Sequence, residues 1–68
     1  MAGNNIRAER ARIKLTQKEL AQTIGVSTYT IGLWEKNIRS CPANKLASMC
    51  ELFGTSMDYL VGRSEERK

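Results

Sequence analysis

Histidine is absent from the 68 residues, and cysteine occurs only as Cys41 and Cys50. Two thiolates without an imidazole cannot supply the four ligands of a structural zinc site within one chain. No metal ligand, cofactor or small-molecule ligand is therefore assigned. No serine or cysteine has an evident activating base beside it, which argues against an enzyme. In a reducing compartment both cysteines are expected to be free thiols. No apolar run approaches the roughly 20 residues that a membrane helix needs, and no secretory pattern opens the chain. The expectation is a cytoplasmic protein with no membrane partner. Proline occurs once, at Pro42, and no strand alternation, internal repeat or low-complexity segment is seen.

What is present is helical and basic. A chain of 68 residues holds one domain. At that size only about 60% of the unfolded surface is buried, so packing must be efficient or the chain must dimerise. Eleven Lys and Arg against seven Asp and Glu give a formal charge of +4. Residues 1–45 carry eight basic and three acidic side chains (+5), and residues 46–68 carry three and four (−1). A phosphate-binding surface would concentrate charge in this way; so, taken alone, would an ordinary solvated surface.

The chain is organised around residues 15–35. Thr16 and Glu19 have the T-x-x-E spacing of a capping box, with Leu15 and Leu20 at the positions of a hydrophobic staple. Leu20, Ala21 and Ile24 then repeat at helical spacing, and Gly25 follows where a left-handed residue ends a helix at least steric cost. Ser27 can cap a second helix. On that helix Ile31 and Trp34 share an inward face, while Tyr29, Leu33 and Lys36 project roughly opposite. A helix that shows Tyr29 and Leu33 outward has something other than water to meet. Gly32, mid-helix, costs about 1 kcal/mol against alanine.

Gln17, Leu20, Ala21, Ile24, Gly25, Val26, Ile31 and Trp34-Glu35 fall at a spacing that resembles the helix-turn-helix of the phage repressor and Cro-like family, also termed lambda-repressor-like or XRE-type. The resemblance runs over roughly Ile6 to Gly62. It implies a compact all-α bundle of five short helices, whose third helix, about Ser27 to Lys36, enters the major groove of double-stranded DNA. Glu35 lies about 40° from Ile31 on the helical wheel and should need a partner. In the family an arginine at the position of Arg10 pairs with a glutamate at that of Glu35, and both are present.

Thr28, Tyr29, Thr30 and Leu33 are the candidates for reading bases. Several of these positions hold glutamine in better known phage repressors, so apolar contact with thymine methyls is expected here instead. Thr16, Gln17, Lys36, Asn37 and Arg39 are the candidates for phosphate, the last three by resemblance. The run from Glu35 to Pro42 is one residue longer than in many relatives, which leaves the register of the loop contacts open.

The rest of the chain supplies the core. Asn4 or Asn5 can cap a first helix ending near Ile13, and Met1 to Asn4 reads as a frayed arm. Leu46, Met49, Cys50 and Phe53 form one face of a fourth helix after Pro42. Met57, Leu60 and Val61 are expected inward on a last short helix stopped by Gly62, with Tyr59 outward as a dimer contact. Residues 1–62 make the domain, and the charged segment 63–68 is expected to be disordered. The function implied is a transcriptional regulator, most simply a repressor, bound as a homodimer to a near-palindromic operator. The alternative is a protein-interaction module of antitoxin or adaptor type, docking through the Tyr29–Leu33 face.

Overall fold

In the computed structural model, which describes residues 4–67, the chain folds as five helices: α1 (Ile6–Arg12), α2 (Gln17–Ile24), α3 (Thr28–Glu35), α4 (Ala43–Phe53) and α5 (Met57–Leu60). No strand occurs among the described residues. The expected all-α bundle is the architecture found.

Local chemistry sets the boundaries. The Thr16 hydroxyl accepts from the Glu19 amide at 3.0 Å, and the Glu19 carboxylate accepts from the Thr16 amide at 2.8 Å. This reciprocal pair satisfies two donors that α2 would otherwise leave unbonded. Gly25 ends α2 at φ 86°, a left-handed conformation that a Cβ would strain. Ser27 and Ser56 cap α3 and α5 by accepting from the amides of Thr30 and Tyr59. Pro42 occupies the N-cap of α4, just ahead of the first turn, where its missing amide costs nothing.

Leu20, Ala21, Ile24, Ile31, Trp34, Leu46, Met49, Phe53 and Leu60 close into one core with Ile6 and Cys50, and Leu15 and Val26 pack at its edge. Met57 and Val61 depart from expectation: both are exposed, and only Leu60 of that helix is fully buried. Val61 lies past the helix at its C-cap, and Met57 and Val61 border an open hollow with Leu46, Asp58 and Arg63 instead of closing into the core.

Two buried carboxylates tie the helices together. Glu35 of α3 accepts from Arg10 Nε at 2.6 Å, from Arg10 Nη2 at 3.4 Å and from Gln17 Nε2 at 3.0 Å. The side chains of Arg10 and Glu35 are 15% and 5% exposed. Arg10 also donates to the Leu15 carbonyl at 2.8 Å, so one guanidinium joins α1, the α1–α2 loop and α3.

Glu9, 3% exposed, accepts from Arg12 and Arg67 at 2.8 Å each and from the Tyr59 hydroxyl at 3.1 Å. Arg12 and Arg67 in turn donate to the Phe53 carbonyl at the end of α4. The Arg67 hydrogen bond leads the effects that hold the Glu9 carboxyl down near pKa 2, against the opposing effect of burial.

This second cluster corrects two expectations. Tyr59 is half-buried and turned onto Glu9 instead of facing outward. Segment 63–67, read as disordered from its charge, folds back: Arg67 pairs with Glu9, and its carbonyl accepts from the Ser56 amide at 2.7 Å. A charge run stays solvated only while no buried opposite charge awaits it. At the other terminus Asn4 is no frayed residue. Its amide donates to the Trp34 carbonyl at 2.6 Å, and its oxygen accepts from the Ile6 amide at 3.1 Å. The remainder of the expected arm, residues 1–3, and Lys68 lie outside the described residues.

Removing one partner of a buried pair strands the other charge at a cost of about 3–5 kcal/mol. Glu35→Ala is therefore expected to lower the thermal midpoint by roughly 10 °C or more; a midpoint unchanged in circular dichroism would contradict the clamp. Glu9 has a lowered pKa, so its contribution is complete above the unfolded value of 4.5 and is lost as pH falls towards about 2. Urea unfolding at pH 6 and pH 2.5 should show a smaller pH difference for Glu9→Gln than for the unaltered chain. Identical differences would show that folding leaves the Glu9 pKa unshifted, and would contradict its pairing with Arg12 and Arg67.

Candidate nucleic-acid interface

The inner side of α3 is used up by the fold. Ile31 and Trp34 are buried, and Glu35 is bound to Arg10 and Gln17. The opposite side is open: Tyr29 is 76% exposed, Thr28 is exposed and Leu33 is half-buried. Leu33 is thus more covered than the helical wheel alone suggested. Thr30 is also half-buried, and its hydroxyl lies 2.8 Å from that of Ser27, so its polar atom serves the helix cap first.

The end of α3 determines what stands beside Leu33. Asn37 takes a left-handed φ of 61°. Its amide donates to the Trp34 carbonyl at 3.1 Å, and the Ile38 amide donates to the Leu33 carbonyl at 3.0 Å. These are the two bonds of a Schellman motif, in which an apolar residue just past the turn characteristically meets one in the last turn of the helix. Ile38 is that residue, and it remains 68% exposed. With Tyr29, Gly32, Leu33, Gln17, Thr28 and Lys36 it lines a shallow groove of about 240 Å³. The sequence reading missed Ile38. The signal available was an asparagine able to adopt a left-handed turn, followed by an isoleucine, directly after the helix.

The candidates for phosphate divide between two neighbouring places. Lys36 borders the groove. Arg39 lines a separate hollow of about 160 Å³ with Asn4, Asn37 and Ser40, and the Asn37 side-chain oxygen accepts from Asn4 at 3.4 Å. Neither Lys36 nor Arg39 makes an ion pair among the described residues. Thr16 is exposed at the start of α2 with its hydroxyl accepting from Glu19, which leaves its O–H free to donate outward. Gln17 is half-buried and spends one amide hydrogen on Glu35. It is therefore a brace for α3 as well as a group at the groove, a role its sequence position had not suggested.

Cys41 lines the same hollow as Arg39, whereas Cys50 is buried in the core. Both are free. Burial, with the neighbouring Cys50 adding, pushes the Cys41 thiol up to about 11, and burial raises Cys50 likewise. Neither is a ready thiolate. No group of three or more metal-ligating side chains occurs among the described residues, and no helix there is long and apolar enough to cross a membrane.

Against known proteins, the family profile described as Helix-turn-helix matches residues 6–60. The uncharacterised HTH-type transcriptional regulator YobD of Bacillus subtilis is 31% identical over 61 residues, covering 90% of this chain and 54% of that protein. The HTH-type transcriptional regulator ImmR of the same organism is 27% identical over 66 residues, covering 97% and 52%. Repressor protein C2 of Salmonella phage P22 is 31% identical over 61 residues, covering 90% and 28%. The chain thus spans about half the length, or less, of these relatives. Among solved structures, the P22 c2 repressor in complex with a synthetic operator superposes with a TM-score of 0.80 at 30% identity, covering 88% of this chain and 91% of that one. The LexA SOS-response repressor from Eubacterium rectale gives 0.78 at 28% identity, covering 90% and 65%. With its capping box, its turn at Gly25 and its third helix clamped through Glu35, the chain belongs to the helix-turn-helix family, in the phage repressor and Cro-like group of regulators.

Proposed function

We propose that this chain is a sequence-specific binding domain for double-stranded DNA in a cytoplasmic transcriptional regulator, most simply a repressor. In this reading α3, with its caps Ser27 and Lys36, lies in the major groove. One observation carries it: α3 is locked from behind by Arg10 and Gln17, yet it leaves Tyr29, Leu33 and the adjoining groove open beside the cation of Lys36. A rigid helix with an exposed apolar edge and a cationic border suits a surface that is charged along its backbone and partly apolar at its base edges. The P22 c2 relative, whose described complex is with an operator, points the same way.

Thr28, Tyr29 and Leu33 would meet base edges, with Thr30 in a lesser part because its hydroxyl is shared with Ser27. Thr16, Gln17, Lys36, Asn37 and Arg39 would hold the backbone, helped by the free amides at the start of α2. A single domain of this size makes few base contacts. The reading therefore includes a symmetric dimer on a near-palindromic operator, with half-sites about 34–36 Å apart or a multiple of that. Tyr59 takes no part in it, being turned onto Glu9.

Neutralising five or so phosphates should make log K fall by about 4–5 for each tenfold rise in salt. Lys36→Ala and Arg39→Ala should each lower that slope by about 1. Binding that ignores salt would instead favour the protein-interaction reading, in which the Tyr29–Leu33 face docks on another chain. Sedimentation should give a mass that moves between monomer and dimer with concentration and reaches the dimer on DNA. A strict monomer under both conditions would remove the dimer.

A further inference from the structure

Lys45 stands where its own helix has no use for it. It lies in the first turn of α4, the positive end of that helix's dipole, where a cation is disfavoured. Its ammonium instead donates to the Ile24 carbonyl at 3.1 Å, at the negative end of α2. The last carbonyls of a helix have no donor within the helix, and α2 carries no basic residue in its own last turn. Lys45 is half-buried and makes no ion pair among the described residues, so this carbonyl is its partner. The ammonium also lies beside the turn itself: a Cβ at Gly25 would stand 3.6 Å from it.

That turn leads through Ser27, the cap of α3, directly into Thr28 and Tyr29. The clamp at Glu35 holds α3 by its other end. At 1.5 Å of rise per residue, a tilt of about 3° pivoting on Glu35 would carry Tyr29 by about 0.5 Å, the tolerance within which a binding constellation must be held. Burial of Ile24 and Ile31 draws α2 and α3 together, but the hydrophobic effect has no direction. A hydrogen bond from an ammonium has direction, and about twice the strength of a neutral one.

We infer that Lys45 is a positioning residue for DNA recognition: by holding the Ile24 carbonyl it fixes the α2–α3 turn, and with it the approach of Thr28 and Tyr29 to the bases. This rests on the proposed DNA reading and adds to it a residue of α4, outside the two helices that carry the interface. The competing role is a direct contact to phosphate. The bond already made in the DNA-free chain favours the internal task, and the two roles leave different marks on binding.

Lys45→Met keeps most of the apolar stem and removes the donor, whereas Lys45→Arg keeps a charged donor. In amide-resolved NMR of the free chain, the methionine variant should move residues 24–30 and leave residues 34–37 nearly still. Amides at 24–30 that ignore the substitution would contradict the hold on the turn. Binding is then measured well below each thermal midpoint, on a duplex selected from a random pool by the unaltered chain. Lys45→Met should weaken it about five- to tenfold, the lower end of what one mismatched base pair costs. Affinity for unrelated duplex DNA and the salt slope should stay unchanged, and Lys45→Arg should recover most of the loss. Weakening that is uniform across sequences, with the slope lowered by about 1, would make Lys45 a phosphate contact and overturn the inference. Unchanged affinity for the selected duplex would overturn it as well, whether or not the thermal midpoint falls. Both of these outcomes leave the DNA reading standing. Failure of the unaltered chain to select any duplex would remove that reading, and this inference with it.

Discussion

The carboxylate of Glu35 fixes what the third helix can present. It is nearly sealed from water and takes N–H donors from two other elements, Arg10 of α1 and Gln17 of α2. A carboxylate in that position is tolerable only with its lone pairs filled, because the cost of desolvation is otherwise uncompensated. The filled arrangement permits one rotation of α3 about its axis. Turning the helix by a single residue would swing Glu35 off its donors and Ile31 and Trp34 out of the core. The same constraint leaves the edge bearing Tyr29, Gly32 and Leu33 facing away from the bundle.

The second carboxylate, Glu9, does for α1, α4 and the C-terminal segment what Glu35 does for α3. Arg12, Arg67 and Tyr59 converge on it, and both arginines reach on to the last carbonyl of α4. With so few residues the chain has a small apolar core. Buried ion pairs are poor sources of net stability, but they discriminate strongly against misplacement, since each displaced partner leaves an unpaired charge. In this chain they hold short helices at defined angles, and the surface they define is the one left open.

Legibility in the sequence followed locality. The capping box at Thr16 and Glu19, the turn at Gly25 and the buried stripe through Ile31 and Trp34 are set by spacing of four residues or fewer, and all could be read directly. The core of α4 was legible for the same reason. What escaped depended on partners distant along the chain. Arg67 looked like one charge in a solvated tail because Glu9, its partner, lies 58 residues away. Tyr59 was assigned outward from a helical wheel too short to define a face. Ile38 was passed over as a loop residue, because its position beside Leu33 depends on Asn37 adopting a left-handed backbone that composition does not announce. At the candidate site, Tyr29 and Leu33 were visible as outward residues of an amphipathic helix, whereas the groove that they share with Ile38 exists only once the chain has turned back.

The central claim is that the outer edge of α3, held by the clamp at Glu35, is the surface that meets DNA. Amide-resolved NMR of the labelled chain, titrated with a duplex selected by the chain itself, tests this most directly. The account predicts that the largest shifts fall on Thr16, Gln17, residues 28–33 and residues 36–39, with the amides around Glu9, Tyr59 and Arg67 nearly still. Shifts centred on the Glu9 cluster, with the Tyr29 and Leu33 amides unmoved at saturation, would contradict it.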